Sequence, residues 1–429
     1  MQQHHIDIIG MPYVPGVSQG AIQHGGETNI ANRILVLQQQ DIQSISEPPL
    51  GFIVVEGAPF SHTMIRFMSM GVPTVIISER QANMLKEDIV VTLDGANGRI
   101  TTQLTDEAIP ESRSVSTQPF TTLDGVPVLL RASVRNQDEA KRSRLEGAEA
   151  IGLVRSEFLM PGDGSVPDYS FYTHAFGQIC EAAAPLPVTI RLLDVAADKI
   201  PPWMPALDSV GGALGLQGVR LYGLEPMKSV CQAQLAAINH LSDSYDIRVL
   251  IPYLVRHEEL HYWVNFIRQK LSKPLPLGAM AETPASALDL ANWFDLVDFV
   301  AIGCNDLMQC LFAADRDRAE LRGYLDPYAP LLWRFMQQIA TTAEARLDRI
   351  QLCGVLAQLP GVIPILIGLG YRAFSIESML IPYLRQTITT TSVADAQQLA
   401  QQICKASESR QVLELLGLHD ESYQPYLIP

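Results

Sequence analysis

Two short apolar runs in the stretch 278–316 end in acid or amide side chains. The first leads to Glu282, and the second, through Cys304, to Asn305 and Asp306. Carboxylates delivered by adjacent strand ends can share one hard divalent cation, and Mg²⁺ is typically held by one or two carboxylates plus phosphate oxygens and water. Arg316, further along the same stretch, offers a guanidinium, the group best suited to grip a phosphate in bidentate fashion. Other apolar runs end in the same way: Arg155 and Glu157 in GLVRSEFL, Arg191 and Asp194 in VTIRLLDV, and Cys353 in IQLCG. Any one of these is ordinarily a cap or an ion pair. Gathered at one mouth, they would make a cup that is costly to bury unless a charged ligand and a metal complete it. The chemistry of such a cup is metal-assisted work on a phosphoryl group. A second focus is His62, which follows the Gly-containing turn EGAPFSH at the start of a helical pattern. Free N–H groups at a helix N-terminus can receive a phosphate.

The elements that must position these groups are legible as alternating strands and helices. After residue 125, apolar runs at 127–132, 150–154, 188–193, Gly218–Leu221, 249–253, Leu277–Ala281, Phe299–Gly303 and Ile350–Cys353 alternate with helical segments such as 138–146 and 258–271. Eight strand–helix alternations in such a length argue for an α/β fold, a closed (β/α)₈ barrel of the TIM type, with catalytic groups at the C-terminal strand ends. The tail 393–416 has amphipathic helical spacing. Ahead of the barrel, residues 1–105 read as a smaller unit. It has strands at 33–37, Gly51–Val55, Thr74–Ile77 and 89–93, and a helix that begins near His62 and stops before Gly71 and Pro73. Residues 106–125 are rich in Pro, Ser, Thr and charge, as an interdomain linker is. The barrel unit then runs over 126–429.

Composition narrows the partners. The 429-residue chain carries 31 basic and 46 acidic residues, a net charge of −15. That excludes nucleic acid or an anionic membrane as the main partner and means an anionic substrate must be captured by local arginines or a metal. The six cysteines form no CxxC pair, as in a reducing cytosol. The opening MQQHHIDIIG lacks the pattern of a signal peptide, and no apolar run is long enough for a membrane span. A soluble cytoplasmic protein is expected.

The segments GAPFSHTMIRFMSMGVPTVII, LDGANGRI, GAEAIGLVRSEFLM, TIRLLDVAADK, GAMAETPASA, DFVAIGCNDLMQCLFAADR and LCGVLAQLP together resemble the phosphoenolpyruvate-utilising enzymes. Within that family they are most similar to enzyme I of the bacterial sugar phosphotransferase system. The match extends along nearly the whole chain, and RSEFL, AETPAS and GCNDLMQ…ADR are its most specific parts. The resemblance implies a swivelling phosphohistidine domain ahead of the barrel. It implies that His62 carries the phosphoryl group, that Arg155, Arg191 and Arg316 hold phosphate and carboxylate, and that Asn305 contacts the phosphate. Glu282 and Asp306 become Mg²⁺ ligands, and Cys353 the thiol that protonates the enolate carbon of pyruvate. It further implies a homodimer through the barrel, with the histidine domain swinging between the barrel and a phosphoryl acceptor.

The sequence also departs from the family pattern. Only about a dozen residues, AIQHGGETNIAN, stand where the family carries a helical domain for its phosphocarrier protein, so the acceptor is unknown. A Gly-rich nucleotide-binding module is not among the motifs, which sets aside a self-contained dikinase or synthase. Phe60 replaces a threonine, Met68 and Gln217 replace arginines, and Val355 replaces a glutamate of the family's motifs. Three readings follow: a phosphoenolpyruvate-dependent phosphotransferase, a catalytically weakened phosphoenolpyruvate-binding regulator, or barrel-only chemistry on pyruvate-like acids. The HEELH run at 257–261 matches a zinc-protease pattern but reads better as the charged first turn of a barrel helix. The Gly-rich run 211–218 lacks the spacing of a dinucleotide site.

Overall fold

The computed structural model describes residues 6–26, 30–45, 47–103, 120–196, 200–204, 212 and 214–418. The linker expected at 106–125 falls mostly on 104–119, outside the described residues.

Eight strands build the N-terminal sheet: β1 Asp7–Ile9, β2 Met11–Val14, β3 Val17–His24, β4 Arg33–Gln38, β5 Gly51–Val55, β6 Thr74–Ile77, β7 Val90–Asp94 and β8 Arg99–Thr101. Their order is β1-β8-β7-β3-β4-β5-β6-β2, parallel from β3 to β6 and antiparallel elsewhere. Strand alternation splits the apolar residues between two faces. Ile34, Val36, Ile53 and Val55 pack on one side with Val75, Ile77 and Leu93. Leu35, Leu37, Phe52 and Val54 face the helix His62–Met70 on the other, where the Phe52 and Phe67 rings meet edge to face at 4.7 Å. Parallel neighbours ordinarily need a crossover of a dozen or more residues, yet β3 ends at His24 and β4 begins at Arg33. The stagger explains it: β4 begins opposite Ala21, so the chain retraces only about 10 Å between His24 and Arg33.

The second body is a closed barrel of eight parallel strands: β9 Leu129–Val134, β10 Ile151–Arg155, β11 Val188–Arg191, β12 Ile247–Leu254, β13 Leu277–Ala281, β14 Phe299–Gly303, β15 Ile350–Cys353 and β16 Ala373–Glu377. Along β9, Leu130, Ala132 and Val134 are buried in the main core. Leu153, Leu250, Met280, Ala301 and Cys353 make a separate small cluster inside the barrel.

The barrel corrects the sequence reading at two of its staves. Gly218–Leu221 is a turn of 3-10 helix, because Gly218 takes a left-handed φ of 53° and bends the chain where a strand would run straight. The eighth stave is Ala373–Glu377, which closes against β9, so Ile350–Cys353 is the seventh. The tail is two helices, Val393–Lys405 and Ser409–Leu415. Among the described residues no helix is long and apolar enough to cross a membrane.

The N-terminal unit sits over the C-terminal end of the barrel. Arg322 donates to the Glu56 carbonyl at 3.1 Å and to its carboxylate at 2.6 Å. Met379, just past β16, packs where Gly71 ends the His62–Met70 helix.

Candidate active site at the barrel mouth

A cleft opens at the C-terminal strand ends. Arg155, Arg191, Glu282, Asn305, Asp306, Arg316 and Cys353 all line it. The residues singled out on five different staves or their following loops therefore do converge. Ile65 also lines this cleft, and it belongs to the helix that His62 begins. The backbone of His62 is thus placed one turn from a residue at the cleft, while its side chain, like that of Arg66, lies outside the description. Ser61 caps the helix, its hydroxyl accepting the Met64 N–H at 3.2 Å.

The arginines are fixed by carboxylates. Glu157, 3% exposed, accepts Arg191 Nη2 at 2.5 Å and Arg155 Nε at 3.2 Å on the same Oε1. Arg191 also reaches Asp194 at 3.1 Å and Glu282 at 4.0 Å. Burial works against the Arg191 charge, but Glu157, Asp194, Glu282 and Asp306 outweigh it and raise its pKa. Burial pulls Arg155 down, and Glu157 only partly offsets this. Arg316 pairs with Asp306 at 3.4 Å, and its backbone N–H donates to Gln309 Oε1.

Glu282 is held by an unusual backbone. Tyr253 has a left-handed φ of 47° beside a break in the β12–β13 register, and its N–H donates to Glu282 Oε2 at 3.0 Å. Strain of this kind collects at functional sites. Gly303 gives the carboxylate its room, since a Cβ there would fall 2.3 Å from Glu282 Oε1. Asn305 Oδ1 accepts the Val355 N–H at 2.9 Å, which leaves the amide's donor end for another partner. Two hard carboxylates on neighbouring staves, one of them cradled by a glycine, fit a Mg²⁺ ion.

Cys353 is buried among barrel-interior residues, and burial pushes its thiol up to about 12. Such a thiol stays protonated near neutrality, so it is a proton donor and a poor nucleophile.

The replaced motif positions have structural explanations. Phe60 and Met68 pack in the core. Gln217 is buried beside Tyr253, and Val355 lines the cleft as an apolar wall. The HEELH run begins the helix His257–Lys270. Among the described residues no group of three metal-ligating side chains occurs.

Sequence reasoning missed the residues of β9 and β16. Ser133, Ser375 and Glu377 line the cleft, and Arg135 grips Glu377 with two N–H groups at 2.6 and 3.1 Å. The signal was AFSIE, as apolar as IQLC and preceded by a helix pattern.

The comparisons agree with this architecture. Residues 110–393 match the family model "PEP-utilising enzyme, PEP-binding domain", and 32–98 match "PEP-utilising enzyme, mobile domain". Relatives named phosphoenolpyruvate-protein phosphotransferase include one from Buchnera aphidicola, 29% identical over 91% of this chain and 73% of its own length. Another, from Haloferax volcanii, is 27% identical over 86% of this chain and 68% of its own. A third, from Streptomyces coelicolor, is 30% identical over 82% of this chain and 65% of its own. The chain belongs to the phosphoenolpyruvate-utilising enzymes.

Proposed function

We propose that the protein transfers the phosphoryl group of phosphoenolpyruvate to His62 and passes it on to an acceptor. The observation that carries this reading is the shared cleft: three arginines, two candidate metal carboxylates, an amide, a protonated thiol and the His62-bearing helix meet there. Arg155, Arg191 and Arg316 bind the phosphate and carboxylate and spread the charge of a loose phosphoryl transition state. The free end of the Asn305 amide donates to a phosphate oxygen. Glu282 and Asp306 would hold Mg²⁺, which would supply further positive charge to stabilise the phosphoryl group in transfer. A neutral His62 nitrogen forms the N–P bond as the bond to the enol oxygen breaks, and Cys353 gives its proton to the enolate carbon, releasing pyruvate.

Residues 1–105 would be the swivelling unit and 126–429 the substrate-binding one, joined by 106–125. The six free cysteines suit a reducing cytoplasm, and a homodimer through the barrel belongs to the same proposal. Gln217 and Val355 in place of charged family residues favour one alternative, a binding protein with weakened turnover.

Radiolabelled phosphoenolpyruvate with and without Mg²⁺ separates the readings. Metal-dependent label on the wild type, absent from His62→Ala, is expected. Binding without label would leave the regulator, and turnover insensitive to His62→Ala would leave barrel-only chemistry.

A further inference from the structure

Beneath Cys353 lies a set of polar groups that an apolar barrel interior does not need. Gln351, 1% exposed, donates through Nε2 to the Gly152 carbonyl at 2.9 Å and to Cys353 Sγ at 3.6 Å. Its Oε1 accepts Arg131 Nη1 at 2.7 Å. Ser375 stands directly opposite Cys353 in the β15–β16 register. It is 1% exposed, and among the described residues its hydroxyl has no oxygen or nitrogen partner. Gly152 makes the arrangement possible: a Cβ there would fall 2.7 Å from Arg131 Cβ and 2.8 Å from Ser375 Oγ. Buried amides and guanidiniums are costly unless something repays their desolvation.

We infer that Gln351, anchored by Arg131, and Ser375 are positioning residues for Cys353. They hold its thiol toward the cleft and receive the negative charge left on sulfur when the proton moves to the enolate carbon. This rests on the phosphoenolpyruvate reading above for the step it serves, though not for the geometry. The balance is simple. The S–H bond breaks, a C–H bond forms at the methylene carbon of enolpyruvate, and the thiolate recovers a proton from water. The amide dipole is already aligned, because Arg131 draws on Gln351 Oε1 and so sharpens the donor at Nε2. Donors in place before charge develops need no reorganisation. Burial and Arg248 lower the Arg131 pKa while charge on Cys353 raises it, so the guanidinium and a thiolate complement each other.

Two measurements test the inference. The S–H infrared stretch of Cys353, isolated as the difference between wild type and Cys353→Ala, should shift in Gln351→Glu and in Ser375→Ala. An unchanged band in both overturns the inference whether or not the protein turns over. The second is deuterium exchange into the methyl group of pyruvate. It should slow by about tenfold or more in both variants, part of the 10²–10⁴ that a positioned acid supplies, with phosphoenolpyruvate affinity unchanged and Ser375→Thr restoring the rate. Exchange at the wild-type rate, in variants that still bind phosphoenolpyruvate, overturns it. A wild type that neither binds phosphoenolpyruvate nor exchanges defeats the phosphotransfer reading instead, and the infrared band then decides alone.

Discussion

Arg191 carries more of the site than any other side chain. It is 4% exposed and meets Glu157, Asp194 and Glu282. Removing one partner from such a buried group leaves the others charged and unpaired, which costs about 3–5 kcal/mol. Arg191→Met should lower the unfolding free energy by that order in a urea titration and abolish phosphoenolpyruvate binding in calorimetry. Gly303→Ala tests the opposite kind of sensitivity. Its methyl would press on Glu282 Oε1, Cγ and Cδ, all within 2.8 Å of the ideal Cβ, while Glu282 is tied to the Tyr253 N–H. Mg²⁺-dependent labelling of His62 should fall at least tenfold while the melting temperature drops only modestly. At this scale the sequence was legible wherever a strand ended in a charged residue, as at Arg155, Glu282 and Asp306. It was silent on Glu157 as a clamp for two arginines, because that role depends on which staves are neighbours.

Elements show where periodicity succeeds and where it misleads. Leu277–Ala281, Phe299–Gly303 and Ile350–Cys353 are strands with the bounds their apolar runs imply. Gly218–Leu221 has Val219 and Leu221 in a similar short run, but it also carries Arg220, and the left-handed Gly218 makes it a turn. The C-terminal helices add a pH-dependent contact. Asp326 accepts the Tyr328 N–H at 2.8 Å and the Ser409 hydroxyl, so it ties a barrel loop to the helix Ser409–Leu415. Burial raises its carboxyl to about 6. A carboxyl raised on folding favours the folded state while protonated, so the contribution is complete below about pH 4 and is lost as pH rises through about 6. The shift of roughly two units corresponds to about 3 kcal/mol at most. Asp326→Asn should flatten that part of the stability profile, as read from urea unfolding between pH 4 and 8.

At the scale of the whole molecule, one contact of the docked arrangement is an ion pair between the two units. The Arg322–Glu56 pair is partly exposed, at 25% and 37% of side-chain area, and such pairs contribute about 1 kcal/mol or less. A pair of that strength biases docking without locking it, as the swivelling proposed above requires. Arg322→Ala should shift the balance toward an open form by about fivefold at most, seen as a larger radius of gyration in X-ray scattering. The same shift should appear in the wild type at high salt, because exposed pairs are screened. If the radius is unchanged in both, the pair has no part in docking.

The sequence by itself determined the barrel class, the family and the identity of nearly every charged group at the mouth. Strand-end chemistry and motif order are local properties, readable without knowing which strands touch. Only the tertiary structure decided that Ala373–Glu377 closes the ring, that Glu157 serves two arginines, and that Gln351 and Ser375 sit beneath the Cys353 sulfur. The closure, the Glu157–Arg191 pair and the Ser375–Cys353 opposition depend on which staves are neighbours and in what register. Strand pairing across a closed barrel leaves no mark in the periodicity of any one strand, whereas Gln351 shares a face with Cys353 simply by standing two residues before it on one strand.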